Sequence, residues 1–347
     1  MPELPEVETV RRTLKNFVLH KTIDSIEVRY PRIIDGDVET FVTTLIHQSI
    51  CDIDRYGKYL IFILDHDAFI SHLRMEGKYN IKMKDEPYDK HDHIIFHMTD
   101  GTDLRYNDIR KFGRMQLVDK EHYREYPPLN RLGQEPMDAS FDYIYPRIHQ
   151  SHLPIKQLLL DQSIFTGIGN IYANEICFRM GMDPRTRGDR LSKKRIEELI
   201  QVSSTILKEA IAQGGTTIHS FDANGIHGLF QVTLSVHAQT TCSKCKGPIK
   251  KITIAGRGTE KAEKVGRDQG CIAFPDGDEM GLETGGAYHC ASQIQEDSAS
   301  CGLLLRLRGK RLPMGNNGSG RKSGGGGQIP EGGYRMQRYG ASDGDSG

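Results

Sequence analysis

Two successive prolines, Pro127 and Pro128, divide this chain where the spacing of its apolar residues changes. Before them, between residues 23 and 118, short segments alternate in polarity or are rich in β-branched residues, and Gly, Asp, Asn and Pro separate them. This pattern is typical of antiparallel strands, and the pair Asp100-Gly101 is a hairpin turn signal. The segments that carry it are 25–29, 49–54, 59–64, 68–73, 93–98 and 115–118.

Helical spacing dominates after the two prolines and over the first 20 residues. Near the N-terminus, apolar residues recur at intervals of three and four, at Val7, Val10, Leu14 and Phe17. The later helical segments are 155–160, 171–179 and 192–212, and strand-like segments follow at 230–236 and 250–254. Ser192 is suited to cap the longest helix, and Gly214-Gly215 to end it. We therefore expect an α+β protein in which an antiparallel β-sandwich or barrel precedes a helical domain.

The last 88 residues differ in composition from the rest. They hold 20 of the 37 glycines and show no apolar periodicity, so we expect 260–347 to be a disordered tail. Lys and Arg total 46, as do Asp and Glu, and the formal net charge is zero. The basic and acidic residues number 20 and 26 over 1–145, 15 and 8 over 146–259, and 11 and 12 over 260–347. The three segments therefore carry net charges of −6, +7 and −1. A cationic middle segment indicates a polyanionic partner.

Composition also excludes some classes of protein. No apolar run approaches the ~20 residues that a membrane helix needs, and the acidic N-terminus lacks an apolar signal core. Seven cysteines are an odd set, which argues against a disulfide framework and for a reducing compartment. We expect a cytoplasmic protein without a membrane partner.

The N-terminus offers the sharpest chemical feature. Removal of Met1 would expose the secondary amine of Pro2, which can attack an electrophilic carbon and form an iminium, as catalytic lysines do. Glu3 beside it could donate or shuttle a proton. Taken alone, the dipeptide is better explained as an ordinary proline-containing start followed by acids that cap a helix.

Several well-separated motifs decide between these interpretations. They are the string from Pro2 to Glu8 and segments 55–60, 71–77, 107–113, 161–175 and 214–231. Together they resemble the bacterial formamidopyrimidine-DNA glycosylase family, which excises oxidised purines, over about residues 1–259. The resemblance implies that Pro2 is the nucleophile, that Glu3 is the acid, and that Lys58 acts in β-elimination and contacts phosphate. Tyr56 departs from the family, where a second basic residue is frequent.

The segments at 71–77 and 107–113 resemble family loops that enter DNA. An enzyme that flips a base out of a duplex loses a few kcal/mol of stacking, which apolar wedges offset. The resemblance assigns Met75, Arg110 and Phe112 to this wedge, with Arg110 facing the orphaned base. Met and Phe are usually core residues, but here they lie between Gly, Arg and Lys on turn-like segments, which favours exposure.

Other contacts with the DNA backbone also follow from the resemblance. His91-Asp92-His93 has metal-ligand spacing, but the family uses the first histidine on DNA, so His91 is a phosphate-contact candidate. The segment 161–175 resembles the family's helix–two-turn–helix element, in which a Gly-rich turn directs the N-terminus of a helix at a phosphate. Asn170 adds a side-chain donor there, and Glu175 is expected to anchor a loop. The glycine-spaced segment 214–231 matches a lid over the flipped base.

The cysteines present the main departure from the family. Cys242 and Cys245 have zinc-ligand spacing, but no second pair follows where the family places it, and a structural zinc site needs four ligands. Cys271, Cys290 and Cys301 come later and are not paired. The resemblance places Arg257 at the tip of the zinc hairpin, where it holds phosphates and assists the second elimination. It ends at Glu260, and it implies no nucleotide or redox cofactor.

These observations predict an N-terminal catalytic β-sandwich at 1–126, a helix–two-turn–helix domain at 133–230, an incomplete zinc hairpin at 236–259 and a tail at 260–347. The expected activity is excision of oxidised purines from double-stranded DNA, followed by strand cleavage through β,δ-elimination, by a monomer. Two alternatives stay open. One is the sister group specific for oxidised pyrimidines, and the other is a DNA-binding protein whose truncated hairpin impairs catalysis.

Overall fold

A computed structural model describes residues 1–214 and 234–262. Its N-terminal part contains eight strands, β1 Ile23–Val28, β2 Ile50–Tyr56, β3 Tyr59–Leu64, β4 Asp67–His72, β5 Lys78–Met83, β6 Asp92–Met98, β7 Thr102–Asn107 and β8 Arg114–Asp119. They form two four-stranded antiparallel sheets, with strand orders β1-β6-β7-β5 and β2-β3-β4-β8. The sheets pack face to face, and at their interface Phe69 of one stacks on Phe96 of the other with ring centroids 5.4 Å apart. The expected β-sandwich is confirmed.

Helix α1, Leu4–Val18, joins the two parts of the molecule. Val7, Val10 and Leu14 are buried in the core of the sandwich. Leu4, one turn earlier, is buried instead in the core of the helical part. The helix therefore fixes the N-terminus at the boundary between the two cores.

The helical part consists of α3 Phe141–His149, α4 Ile155–Leu160, α5 Asn170–Arg179 and α6 Lys193–Ala212. Ser192 caps α6 as predicted, since its hydroxyl accepts a hydrogen bond from the amide of Arg195 at 3.4 Å. The buried face of α6 packs on α1, α3 and α5 and includes Ile196, Leu199, Ile206 and Leu207. None of the helices within 1–214 and 234–262 is long and apolar enough to cross a membrane.

A two-stranded hairpin closes the described part of the chain. Strands β9, Ile249–Ile254, and β10, Arg257–Ala262, pair in continuous antiparallel register. Ala255 and Gly256 connect them with φ of +49° and +74°, as a two-residue hairpin turn of the mirror-image type requires. Strand β10 continues three residues past the boundary expected at 259. The remainder of the expected tail lies outside the described residues.

Several elements differ from the sequence-based expectation. Helices α2, Val38–Leu45, and α3 and strands β5 and β7 were not predicted. Of the strand expected at 230–236, residues 230–233 lie outside the described residues, and residues 234–236 are not a strand. At this point the carboxylate of Glu175 accepts hydrogen bonds from the amides of Ser235, Val236 and His237, each at 2.9 Å, so these amides do not pair with a strand.

Candidate active site and nucleic-acid interface

Glu3 sits where two helices begin. It is the N-cap of α1, and its amide donates to the Glu6 carboxylate at 2.8 Å in a capping box. Its own carboxylate faces the N-terminus of α5 and accepts hydrogen bonds from the amides of Gly169 at 2.6 Å and Ile171 at 2.9 Å. A helix N-terminus attracts an anion because its first amides lack partners and its dipole is positive there. These hydrogen bonds fix Glu3, two residues after Met1, against the helical domain.

The Glu3 carboxyl is poised to exchange a proton near neutral pH. Only 3% of the residue is exposed, and this burial raises the pKa of Glu3 to about 7, with the neighbouring Glu6 adding to the rise. The positive charge of Lys58 and the amides at the start of α5 oppose it. A carboxyl with such a pKa is suited to act as a general acid at physiological pH.

Lys58 reaches the same place from the turn between β2 and β3. It is buried, and its Nζ donates to the carbonyl of Ile168 at 2.8 Å, in the turn that precedes α5. Burial lowers the pKa of Lys58, the Glu3 carboxylate opposes that effect, and the Arg257 guanidinium reinforces it. Two other residues expected to be catalytic, Glu3 and Arg257, thus affect the pKa of Lys58, and Pro2 adjoins Glu3 in the chain.

Close backbone approach requires glycine at two points of this site. A Cβ added to Gly169 would lie 2.3 Å from Cδ of Glu3, and one added to Gly57 would lie 2.4 Å from Oγ1 of Thr166. Gly57 also has φ of +58°, which favours glycine. These contacts join the N-terminus, the Lys58 turn and the Gly-rich turn before α5. The sequence motifs contain both glycines, but only the fold gives the reason for them.

The expected wedge residues lie on exposed loops. Met75 is 42% exposed and Phe112 is 48% exposed, and the Arg110 guanidinium lies 4.7 Å from the centre of the Phe112 ring. Buried Asp108 shapes this loop, because its carboxylate accepts hydrogen bonds from the amides of Arg110 at 3.0 Å and Phe112 at 2.8 Å. Asp108 was not predicted as a functional residue, although it lies within the 107–113 motif. Exposed Ile109 was also missed.

His91 and Asn170, two of the expected contacts with the DNA backbone, each carry a buried atom without a partner. Within the described ranges, Nδ1 of His91 and Oδ1 of Asn170 are buried and have no hydrogen-bond partner. Asn170 is the first residue of α5, as a contact at a helix N-terminus requires. Nε2 of His93, by contrast, is hydrogen-bonded to the Asp108 carbonyl at 2.9 Å.

Polar contacts hold the β9–β10 hairpin against the helical part. Buried Lys156 of α4 donates from Nζ to the carbonyl of Gly258 and to Oγ1 of Thr259, both at 2.8 Å. Glu175 of α5 anchors the segment that leads into the hairpin. Exposed Arg257 follows the hairpin turn directly.

Comparison with known proteins identifies the family. The model of the formamidopyrimidine-DNA glycosylase N-terminal domain matches residues 1–115, and that of the H2TH domain of the same glycosylase matches residues 132–222. The formamidopyrimidine-DNA glycosylase of Bacillus licheniformis is 45% identical over 266 residues, which are 75% of this chain and 97% of that protein. The chain belongs to the formamidopyrimidine-DNA glycosylase family.

Other relatives extend the match to solved structures. The Bacillus subtilis formamidopyrimidine-DNA glycosylase is 45% identical over 271 residues, which are 76% of this chain and 98% of that protein. A Lactococcus lactis family member in complex with abasic-site DNA is 37% identical and superposes with a TM-score of 0.71, covering 75% of this chain and 97% of that one. A mutant of the Lactococcus protein with a formamidopyrimidine lesion in its DNA gives a TM-score of 0.72, with the same identity and coverage of 75% and 98%.

Members of this family generally bind zinc, but the described residues do not supply a full zinc site. Cys242 and Cys245 form a turn in which the amide of Cys245 donates to Sγ of Cys242 at 3.4 Å. Among residues 1–214 and 234–262, no group of three or more His, Cys, Asp or Glu side chains could hold a metal ion. Two thiolates do not close the tetrahedron of a structural zinc site. The cysteines at 271, 290 and 301 and the lid at 215–231 lie outside the described residues.

Proposed function

We propose that this chain excises oxidised purines from duplex DNA and then cleaves the strand at the resulting abasic site. The observation that carries the proposal is the convergence of Glu3, Lys58 and the N-terminus of α5. The Met75 and Phe112 loops supply the exposed apolar groups that replacing a flipped base requires.

Excision would begin at the Pro2 nitrogen after Met1 has been removed. The amine forms a bond to C1′ of the damaged nucleotide, the C1′–N9 bond breaks, and the base leaves with a proton supplied by Glu3. The sugar-ring oxygen then leaves C1′ and takes up the proton that the amine gives up, which produces an iminium. A pKa of about 7 keeps a substantial fraction of Glu3 protonated at neutral pH.

Strand cleavage would follow from the iminium, which makes the C2′ proton acidic. A base takes up that proton as the C3′–O bond breaks and releases one phosphate. A base then takes up the C4′ proton as the C5′–O bond breaks and releases the other, so that phosphate ends remain. Lys58 and Arg257 are the groups that we assign to these two steps. His91, Arg110 and Asn170 would hold the phosphates and the orphaned base. No step requires a metal ion or an organic cofactor.

The domain boundaries and the oligomeric state belong to the same proposal. We assign catalysis to 1–126, DNA binding to 133–230 and a clamp on the duplex to the hairpin, with one chain acting alone. The +7 balance of 146–259 supports the view that this region contacts phosphates.

Borohydride trapping tests the proposed function. The full chain is incubated with a duplex that contains one 8-oxoguanine, with a duplex that contains an oxidised pyrimidine, and with undamaged duplex. We expect a covalent adduct that forms most rapidly with 8-oxoguanine and is lost in Pro2→Gly. Preferential trapping on the oxidised pyrimidine would favour the sister specificity, and tight binding without an adduct would favour a binding protein.

A further inference from the structure

The structure points to a hairpin that is fastened by charged side chains in place of a zinc ion. We propose that Glu260 and Lys261, the residues at which the resemblance to the family ends, attach β10 to the helical part and so hold Arg257 in position without zinc. The proposal rests on the proposed function only in assigning Arg257 a role on DNA.

Glu260 provides the first attachment. The residue is 8% exposed, and its Oε2 accepts hydrogen bonds from Nδ2 of Asn174 on α5 and from Nδ1 of His237 at 3.2 Å. Nζ of Lys251, on the opposite strand of the hairpin, lies 3.6 Å from Oε1. A buried carboxylate is stable only when such partners replace water, so Glu260 ties the hairpin to α5.

Lys261 provides the second attachment on the following residue. Its Nζ forms an ion pair with Asp183, in the segment between α5 and α6. Asp183 is also bound by Arg185, with Nη2 2.8 Å from Oδ2. The neighbouring cations hold the pKa of Asp183 below its usual range, so this carboxylate is charged at neutral pH.

These two residues act together with contacts on both sides of them. Lys156 holds Gly258 and Thr259, and Asn174 holds Glu260, so four consecutive residues of β10, from 258 to 261, are attached to the helical part. Glu175 fixes the amides of 235–237 and thereby brings His237 to Glu260. The chain is therefore held at 235–237, ahead of Cys242 and Cys245, and along the second strand of the hairpin.

The metal dependence of the hairpin is the decisive measurement. The purified full chain is assayed for zinc, and hydrogen exchange of residues 249–262 is followed before and after prolonged treatment with a strong zinc chelator. We expect substoichiometric zinc and slow exchange that the chelator does not change. One zinc per chain, or rapid exchange after chelation, would overturn the proposal. Neither readout depends on catalysis, so a protein that fails the trapping assay would still decide this question.

Substitutions then test the attachments themselves. We expect Glu260→Gln and Lys261→Met, singly or combined, to accelerate exchange in 249–262 and to weaken binding of abasic-site DNA about tenfold. In bound enzyme the yield of trapped Pro2 adduct should be retained, while the ratio of δ- to β-elimination product falls. Glu39→Gln, which removes an exposed carboxylate from α2, outside the region assigned to DNA binding, is the control and should change none of these. Unchanged exchange in the double variant would refute the assigned role.

Discussion

The guanidinium of Arg55 and the carboxylate of Glu135 form a bidentate ion pair between the β-sandwich and the start of the helical part. Nη1 lies 2.5 Å from Oε1, and Nη2 lies 2.9 Å from Oε2. Oε1 also accepts a hydrogen bond from the amide of Gly57 at 2.6 Å, next to Lys58. Glu8 of α1 binds the other side of Arg55 at 3.0 Å. The pair therefore fixes the Lys58 turn and the boundary between the two parts at once.

Removing the charge of Glu135 should destabilise the protein. Both side chains are largely buried, so Glu135→Gln leaves Arg55 with one carboxylate in place of two and weakens the acceptor for Gly57. Breaking a buried pair of this kind costs about 3 kcal/mol. We expect that loss in the free energy of unfolding, measured by urea titration at pH 7. Exposed Glu39, on α2, gives the matched control Glu39→Gln, and equal stability of the two variants would contradict the assigned role.

Base excision should slow as the pH rises through about 7. Glu3 donates its proton only when it is protonated, and its pKa of about 7 places the loss of the acid there. Above that pH the single-turnover rate on 8-oxoguanine should fall about tenfold per pH unit. Cleavage of a preformed abasic site needs no proton for a departing base and should lack this decline. A flat excision profile between pH 6 and 9 would exclude Glu3 as the acid.

Glu3 should give the free energy of unfolding a pH dependence opposite in sign to that caused by an ordinary ion-paired carboxylate. Because the pKa in the folded state lies above the value of 4.5 of the free side chain, the unfolded chain loses this proton first as pH rises. The contribution of Glu3 to the free energy of unfolding therefore falls between about pH 4.5 and 7 and is constant above. Urea titrations of the full chain and of Glu3→Gln across this window should show the decline only with Glu3 present. A decline of equal size in Glu3→Gln would assign it to other groups.

Strand cleavage should require an ionisable side chain at position 58. Its ammonium is buried and donates to one carbonyl, that of Ile168, so Lys58→Met removes the cation while retaining most of the buried aliphatic volume. We expect the rate of strand cleavage at an abasic site to fall by about 10²-fold, as for loss of a general acid or base. Lys78→Met in β5 provides a control for a lysine near the wedge loops. A cleavage rate within twofold of the original chain would remove Lys58 from the mechanism.

Patterns confined to one element predicted the fold well. The 3.6-residue spacing of α1 and the cap of α6 are local, and both are confirmed. Helix α3 contains Pro146, which disfavours a helix in any local prediction, yet tertiary packing maintains it. A strand was expected at 230–236, but residues 234–236 are not a strand, and the Glu175 carboxylate accepts the hydrogen bonds of the amides at 235–237.

The candidate site could be predicted only as far as the motifs reach. Resemblance supplied Pro2, Glu3, Lys58 and Arg257, and the fold brings Glu3 and Arg257 close enough to Lys58 to affect its pKa. The partners that position them, such as Glu135 for the Lys58 turn, are distant in sequence. The local sequence around Glu135 has no property that indicates a contact with Gly57, since that contact depends on how two domains meet.

The base of the wedge loop offers a last prediction. A Cβ added to Gly113 would lie 1.7 Å from Oη and 2.6 Å from Cζ of buried Tyr106, so the ring leaves no space for a methyl group. Either the ring or the loop that carries Phe112 must shift, and such overpacking costs typically 1–3 kcal/mol. We expect Gly113→Ala to lower the free energy of unfolding by about 2 kcal/mol and to weaken binding of lesion DNA relative to undamaged DNA. A methyl group at Gly258 would meet only an ordinary contact at 3.5 Å, so Gly258→Ala should change stability by no more than about 0.5 kcal/mol. If the two variants unfold at the same urea concentration, Tyr106 does not set the position of the Phe112 loop.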